Sequence, residues 1–370
     1  MTLPQISSNH SMKLGLGLYR GLLTDSNFQF AKQAGVTHLV VHLVDYFKGA
    51  SPALTSGEPN MGWGVTQNQN RPWNYEELSA LRKVIEANGL TWEAIENFDP
   101  AHWYDILLDG PKKTDQMELL KRTIQAVGRA GIPIMGYNFS IAGVWGWTRG
   151  PVGRGGAMAV GYDESRIDKN TPIPNGMVWN MVYDPDAPPG TVAPVDTDEL
   201  WQRFEWFLAQ IVPVAEENGV RLALHPDDPP ADTLRGTARL VNDPAKYQRV
   251  LDMVQSESNA LEFCLGSLQE MQRGDVYRSI EHYGKQGKIA YVHFRNVRGK
   301  VPHYQEVFVD EGDLDMIRVV QCLRAVEYEG VLIPDHTPEM NCSAPWHAGM
   351  AYALGYIRAA MQAVDQMSPQ

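Results

Sequence analysis

Residues 289–297 read IAYVHFRNV, an apolar run that ends in the polar residues His293, Arg295 and Asn296. A short, nearly continuous apolar segment of this kind is typical of a parallel strand that is buried on both faces. Seven further segments share the pattern: Lys13 to Leu18, Thr37 to Leu43, Leu90 to Glu96, Ile132 to Tyr137, Val220 to His225, Leu261 to Leu265 and Gly330 to Asp335. The sequence therefore predicts eight parallel strands.

Amphipathic helix patterns separate these strands. Residues 75–88, 115–130 and 197–217 carry apolar side chains at close to 3.6-residue spacing. Alternation of strands with helices predicts βαβ units and a parallel sheet, which is an α/β fold. Eight such units favour a closed (β/α)₈ TIM barrel over an open sheet, and the G-x-G-x-x-G motif of open dinucleotide-binding sheets is absent.

The chain has 370 residues, whereas an undecorated barrel needs ~250. We therefore expect residues 1–370 to form one barrel domain with insertions. Two stretches rich in Gly, Pro, Asn and Trp, at 46–72 and 143–196, follow the second and fourth strands. Loops that follow barrel strands lie at the face where active sites are built, so these two are expected to cover a substrate. The alternative is a surface insertion without a function in the site.

Composition excludes several classes of partner. The formal net charge is −12, which disfavours nucleic acid and anionic membranes, although a local cation could still attract an anionic small molecule. No segment is apolar over ~20 residues, and the N-terminus lacks a signal-peptide pattern. Three cysteines are a poor disulfide framework and indicate a reducing compartment. We expect a cytoplasmic protein that forms a homo-oligomer.

Potential metal ligands end four consecutive strands. The fifth to eighth strands end in LALH, LEFC, YVH and LIPD, and thus supply His225, Cys264, His293 and Asp335. Neighbouring strand ends converge at one face of a barrel, so these four side chains are expected to form one site. Two imidazoles, a thiolate and a carboxylate suit Mn²⁺, Fe²⁺, Co²⁺ or Zn²⁺. The thiolate argues against Mg²⁺ and Ca²⁺, which prefer oxygen ligands.

Other polar and aromatic residues lie near the same strand ends. Arg295 and Asn296 could hold a carboxylate or hydroxyls, and the alternative for Arg295 is a salt bridge at the barrel rim. Asp228, in the turn HPDDPP, could orient a ligand, or could simply be solvated. The fourth loop begins with Trp145 and Trp147, whose rings could pack against the C–H faces of a sugar. The further candidates are Glu96, Tyr137, Asn138, Trp145, Trp147 and Arg149.

Several motifs resemble the mannonate dehydratase family of TIM-barrel enzymes, in the xylose-isomerase-like superfamily. They are HPDDPP at 225–230, LEFCLGSL at 261–268, VHFRNV at 292–297 and PDH at 334–336. GYNFSIAGVWGWTRG at 136–150 is also similar, as are IENFDPAH at 95–102, Gly236 with Arg239, and GDLDM at 312–316. The resemblance covers about residues 90–360.

The resemblance implies a hydro-lyase that converts D-mannonate to 2-keto-3-deoxy-D-gluconate in hexuronate catabolism. It implies Mn²⁺, with Fe²⁺ or Co²⁺ as alternatives, held by the four strand-end residues above. It places His336 in proton transfer, and Tyr137, Glu306 or Asp310 could supply the second acid–base role. The expected substrate-binding residues are Asn138, Trp147, Arg149, Asp228, Arg239, Arg295 and Asn296.

Some positions depart from the family pattern. The usual Arg before PDH is Ile333, a Thr is replaced by Val307, and HAGMAYALG at 347–355 lacks the family's Asp and Arg. These changes surround the metal ligands and leave the ligands themselves intact, so a divergent branch is an alternative. Such a branch could dehydrate another aldonate, or could isomerise, epimerise or cleave a sugar. A non-catalytic carbohydrate-binding barrel is a third hypothesis, which the intact ligand set disfavours.

Overall fold

Eight parallel strands close into a barrel in a computed structural model that describes residues 12–46, 66 and 71–367. In chain order these strands are β1 (Lys13–Tyr19), β2 (His38–His42), β3 (Thr91–Glu96), β4 (Ile134–Tyr137), β9 (Arg221–Leu224), β12 (Asn259–Cys264), β13 (Ile289–His293) and β16 (Val331–Ile333). Each strand pairs in parallel with its neighbour in this order, and β16 pairs with β1. The predicted barrel is thus confirmed, with each strand found where the sequence indicated it.

Helices follow the barrel strands and pack outside them. They are α1 (Asp25–Gln33), α2 (Tyr75–Ala87), α3 (Tyr104–Leu108), α4 (Lys113–Arg129), α5 (Thr197–Glu217), α6 (Lys246–Met253), α7 (Leu265–Glu270), α8 (Val276–Lys285), α9 (Met316–Ala325) and α10 (Pro345–Met367). The side chains of Thr24, Asn74 and Asp196 accept hydrogen bonds from backbone N–H groups in the first turns of α1, α2 and α5. These caps stabilise the N-terminus of each helix. No helix in the described part of the chain is long and apolar enough to cross a membrane.

The barrel interior is filled by a separate apolar cluster. Most of its members are small or β-branched, as the narrow interior of an eight-stranded barrel requires. They are Val40, Ala94, Ile134, Ala223, Ala260, Ala290, Tyr291, Val331 and Ile333. Ile333 lies against Gly15 and Gly17 of β1, where an added Cβ on Gly15 would approach the Ile333 side chain to 2.8 Å. This plug closes the barrel below the strand ends and leaves the polar side chains above it.

The insertion at 143–196 contains secondary structure of its own. It includes β5 (Trp147–Gly150), β6 (Ala159–Asp163) and the hairpin of β7 (Met177–Val178) and β8 (Met181–Val182). β5 and β6 join β14 (Asn296–Lys300) and β15 (His303–Val307) in an antiparallel four-stranded sheet. A further hairpin, β10 (Thr233–Leu234) with β11 (Thr237–Ala238), follows the fifth barrel strand. The predicted insertion at 46–72 lies almost entirely outside the described residues.

Candidate active site

A cavity with about 550 Å³ of empty space, including its open mouth, lies above the strand ends. Such a volume suits a small ligand. The predicted residues that line it are Glu96, Asn138, Trp147, His225, Asp228, His293, Arg295, Asp335 and His336. Barrel strands one to three, which carried few of the predicted residues, also contribute to the wall. The ends of strands therefore meet in one site, as the alternation of strands and helices predicted.

Three of the four predicted metal ligands form a compact donor cluster. One donor atom each from His225, Cys264 and His293 lie within 4.8 Å of one another. Asp335 Oδ2 lies 3.2 Å from His293 Nδ1 and so adjoins this cluster. His225 Nδ1 is 2.6 Å from the Pro226 carbonyl oxygen, an acceptor, so Nδ1 carries the proton and Nε2 is left to act as a ligand.

The two ring nitrogens of His293 face different groups. Nε2 lies 3.0 Å from Glu262 Oε1 and 3.2 Å from Glu96 Oε2. Nδ1 is buried and makes no hydrogen bond of good geometry with a described residue. A metal-binding histidine usually donates its second N–H to a carboxylate, which fixes the ring and its tautomer. The arrangement therefore fits a divalent cation bound at Nδ1, with both glutamates holding the opposite edge of the ring.

Cys264 is placed to act as a thiolate. Burial raises the pKa of its thiol, but the Arg295 guanidinium and the adjacent His225 and His293 rings hold that pKa well below its usual range. The Ser267 backbone N–H donates to Sγ at 3.4 Å, and the Ser267 hydroxyl lies 3.1 Å from Sγ. A thiolate, imidazole and carboxylate set suits a borderline divalent metal ion, so the donor chemistry fits the predicted metal.

Glu262 was not singled out from the sequence. It is fully buried, and burial together with the nearby Glu96 carboxylate raises the pKa of Glu262 to about 7. Side chains two residues apart on a strand point to the same face, so Glu262 lies on the same face of β12 as Cys264. A carboxylate inside the apolar run LEFC was the signal that could have identified it.

His336 and Glu306 form a pair at the cavity wall. His336 Nδ1 lies 2.7 Å from Glu306 Oε2, and His336 Nε2 lies 3.3 Å from Asp335 Oδ2. Burial opposes protonation of the ring, but the charges of Asp335 and Glu306 raise the pKa of His336 to about 9. The indole of Trp147 packs edge-on against the imidazole, with ring centroids 5.5 Å apart. The structure thus brings together two of the four predicted catalytic residues.

Arg295 borders the cavity but is surrounded by carboxylates. Nη1 donates to Glu270 Oε1 at 2.8 Å and lies 3.2 Å from Glu306 Oε1. Nη2 donates to Asp228, and Nε lies 3.2 Å from Asp335 Oδ2. Asp228 also accepts hydrogen bonds from Tyr304 and Trp147, so its oxygens are engaged as well. These contacts indicate that Arg295 and Asp228 hold the site together more than they bind substrate.

Replacing Arg295 by methionine is expected to lower the free energy of unfolding by about 3–5 kcal/mol, because the Asp228 carboxylate, whose pKa the guanidinium holds low against its burial, would lose its counter-charge. Asp228 is buried, so water could not replace the guanidinium. The measurement is the shift in the thermal and urea unfolding midpoints. Arg154→Met is the matched control, since Arg154 makes an exposed ion pair with Asp310 that contributes about 0–1 kcal/mol. Equal midpoint shifts in the two variants would contradict this account of Arg295.

Two predicted catalytic residues, Tyr137 and Asp310, lie outside the site. The Tyr137 ring packs outward against Phe98 and Phe207, because Gly136 occupies the inward-facing position of β4. Asp310 is an ion-pair partner of Arg154 at the surface, where the oxygen-to-nitrogen distance is 2.9 Å. Neither residue lines the cavity. The fold therefore does not bring either side chain to the cavity, because adjacency in sequence to a strand end does not set the direction of a side chain.

Three predicted substrate-binding residues are also placed elsewhere. Arg149 pairs with Glu339 away from the cavity. The Asn296 amide donates to the carbonyls of Val309 and Leu314, so it fastens a loop. Arg239 is buried, donates to Ser140 Oγ and the Gly143 carbonyl, and pairs with Asp227. These side chains stabilise the loops around the site, and none of the three lines the cavity that was predicted to hold the substrate.

The sequence analysis missed part of the wall formed by the first three strands. Tyr19 ends β1, and His42 ends β2 in the position where other strands carry the predicted metal ligands. Tyr46, Asn97 and Trp179 complete this wall. The strand-end argument, extended to the first two strands, would have found Tyr19 and His42. Trp179 carries no such signal, because it belongs to an inserted hairpin.

The fold and donor set define a (β/α)₈ barrel with a candidate metal centre. Solved barrels with low sequence identity share its fold, including an L-ribulose 3-epimerase (14% identity, TM-score 0.55, 96% of each chain covered). The D-mannonate dehydratase (UxuA) family model matches residues 31–370. The chain belongs to this family.

Named relatives agree with this family assignment. Mannonate dehydratase 2 of Halalkalibacterium halodurans is 31% identical over 276 residues, which is 71% of this chain and 79% of the relative. The mannonate dehydratase of Thermotoga maritima is 29% identical over 319 residues, covering 80% and 87%. The crystal structure of mannonate dehydratase from Streptococcus suis serotype 2 superposes with a TM-score of 0.75 at 26% identity, covering 97% and 96%.

Proposed function

We propose that this protein is a metal-dependent hydro-lyase that dehydrates D-mannonate to 2-keto-3-deoxy-D-gluconate. The observation that carries the proposal is a His225, Cys264 and His293 donor cluster and a His336–Glu306 pair, which meet at one cavity through His225, His293 and His336 in a member of the mannonate dehydratase family. Mn²⁺ is the proposed ion, with Fe²⁺ or Co²⁺ as alternatives, and Asp335 is the proposed fourth ligand. The proposal includes a cytoplasmic location. It also includes a homo-oligomer, and size-exclusion chromatography with light scattering would measure the number of subunits.

The reaction needs a base, an acid and a way to acidify a C–H bond. A bound divalent ion supplies positive charge beside the substrate carboxylate and so lowers the pKa of the proton at C2. Removal of this proton leaves its electron pair to form the C2–C3 double bond. The C3–O bond breaks, and the departing hydroxyl takes a proton to become water. The resulting enol tautomerises to the 2-keto-3-deoxy acid.

The chain supplies at least one proton-transfer group at the cavity wall. His336 exposes its ring to the cavity while Glu306 fixes Nδ1 and Asp335 lies at Nε2. A histidine held by carboxylates can take or give a proton without reorienting. Trp147 closes one side of the ring and limits water access. We assign His336 to proton transfer, with Glu306 as the residue that positions it.

Incubation of the Mn²⁺-loaded protein with D-mannonate in D₂O tests the proposal. We expect a new 2-keto-3-deoxy acid by ¹H NMR, with one solvent-derived deuterium at C3 from tautomerisation of the enol. A panel of other aldonates serves as the specificity control, because Ile333 and Val307 differ from the family pattern. If no aldonate gives product and the protein instead interconverts keto and aldehyde sugars, the dehydratase proposal is wrong and the protein is a sugar isomerase or epimerase.

A further inference from the structure

The hairpin of β7 and β8 delivers one aromatic side chain to the cavity. Met177 pairs with Val182 and Val178 with Met181, which leaves Trp179 and Asn180 as a two-residue turn. The Trp179 side chain lines the cavity and is nearly buried. The insertion that follows the fourth barrel strand therefore supplies two indoles to the site, Trp147 on the His336 side and Trp179 on the side of the first three strands.

Trp179 occupies a backbone conformation that tryptophan rarely adopts. Its φ is 50°, and that of Asn180 is 61°. Tight hairpin turns with two positive φ values favour Asn-Gly or Asp-Gly, because a bulky side chain crowds the backbone there. Strained residues of this kind cluster where a side chain must be held for function. A tryptophan at the first turn position therefore indicates a role for the ring beyond closing the hairpin.

Contacts with the preceding loop hold the turn in place. The Trp179 backbone N–H donates to the Ile141 carbonyl at 2.7 Å. Gly143, at a φ of 61°, lies so close that an added Cβ would be 2.8 Å from the Trp179 carbonyl carbon. A side chain at position 143 would push the turn away. The hairpin tip is thus clamped over the cavity, and the indole is presented in a fixed position.

Tyr46 provides a second ring beside Trp179. Their ring centroids are 5.6 Å apart with planes inclined by 37°. The Tyr46 hydroxyl accepts a hydrogen bond from Asn97 Nδ2 at 3.0 Å and lies 3.2 Å from His42 Nδ1. These polar partners anchor one end of the phenol and keep its apolar face at the cavity. The two rings form what we call the aromatic wall, defined as Tyr46 and Trp179.

The aromatic wall and the proposed metal ligands belong to different strands of the barrel. The proposed metal ligands end barrel strands five to eight, whereas Tyr46 follows strand two. No lysine lines the cavity among the described residues, and its one guanidinium, that of Arg295, is engaged by carboxylates. A second carboxylate or a phosphate at the aromatic wall would therefore find no lysine and no unengaged arginine among the described residues. An uncharged carbon chain, with its C–H bonds against the rings, is the matching ligand.

We propose that Trp179, seated against Tyr46, is a specificity-determining residue that stacks on the uncharged tail of the sugar acid beyond C2 and C3. This inference rests on the proposed function, because the carboxylate end must lie at the metal ligands for the tail to reach the aromatic wall. The wall then favours a six-carbon acid over a shorter one of the same configuration at C2 and C3. It does not take part in proton transfer.

Trp179→Leu tests this assignment, since leucine keeps an apolar side chain in the turn but removes the flat ring. The measurement is kcat/KM for D-mannonate and for the four-carbon aldonate of matching configuration at C2 and C3. We expect a fall of about tenfold for D-mannonate, equivalent to ~1.4 kcal/mol, mainly through KM, and at most about twofold for the shorter acid. Trp179→Phe, which restores a ring, is expected to recover part of the selectivity.

Trp206→Leu is the matched control, because Trp206 lies on the outer side of α5 with Lys113 over its ring. This variant is expected to have the same kcat/KM as the unsubstituted protein for both acids. Equal losses for both acids in Trp179→Leu and Trp179→Phe would overturn the inference, as would unchanged selectivity. The unsubstituted protein is assayed first. If it forms no product, the proposed function is contradicted. If it forms product but the Trp179 variants have the same selectivity, only the role of Trp179 is contradicted.

Discussion

Cys264→Ser is expected to abolish turnover and to lower the affinity for Mn²⁺ by at least about 100-fold. A serine hydroxyl stays protonated at neutral pH, whereas the Arg295 guanidinium and two histidines keep the pKa of the Cys264 thiol low despite its burial. The substitution therefore replaces an anionic ligand by a neutral one in a site of fixed geometry, and even outer groups around a metal contribute 10- to 100-fold in affinity. Metal content after dialysis and the rate of 2-keto-3-deoxy acid formation are the two measurements.

Cys322→Ser is the matched control for this prediction. Cys322 is a partly buried cysteine in α9 and does not line the cavity. It is expected to retain both metal and activity. His293→Ala should reproduce the loss seen with Cys264→Ser, because it removes the ring that Glu96 and Glu262 hold. Full turnover by protein freed of metal with a chelator would refute the metal site itself.

His336→Asn is expected to reduce kcat by about 10²- to 10⁴-fold while the protein keeps its metal. Loss of a general acid or base typically has this magnitude. Asparagine preserves a polar side chain near Glu306 and Asp335 but cannot carry the proton that the imidazole carries. The measurement combines kcat, KM and metal content. Loss of metal together with activity would instead assign His336 to the metal site.

Glu306→Gln separates positioning from proton transfer. Glu306 contacts His336 at 2.7 Å and Arg295 at 3.2 Å but does not line the cavity. Its substitution should therefore lower kcat less than His336→Asn does and should shift the pH profile of kcat, because the anion next to the imidazole is lost. A pH profile identical to that of the unsubstituted protein would remove Glu306 from its proposed role.

Sequence patterns were sufficient to predict the barrel and the side of the site that barrel strands five to eight form. The apolar runs are buried on both faces, so each strand and its end could be located without knowledge of the fold. His225, Cys264 and His293 follow from this directly, because adjacent parallel strands end on the same face. The departures at Ile333 and Val307 were visible as well, although the place of Ile333 in the barrel plug was not.

Side-chain direction and the inserted segments could not be predicted in the same way. Tyr137 ends a strand as His225 does, but its ring turns outward because Gly136 takes the inward position. Arg295 follows the proposed metal ligand His293 by two residues, but its partners Asp228, Glu270 and Glu306 come from three other segments. Each outcome depends on contacts between residues that are distant in sequence, which no local period records.

The sequence by itself determined the strands, their order and the residues at their ends, because burial and strand periodicity act locally along the chain. Only the tertiary structure decided which of those residues face the cavity and which brace it. It also placed Trp179, from an insertion without periodic signal, next to Tyr46 from another loop. Closure of the barrel brings these loops together, so the aromatic wall opposite the proposed metal ligands depends on the fold as a whole.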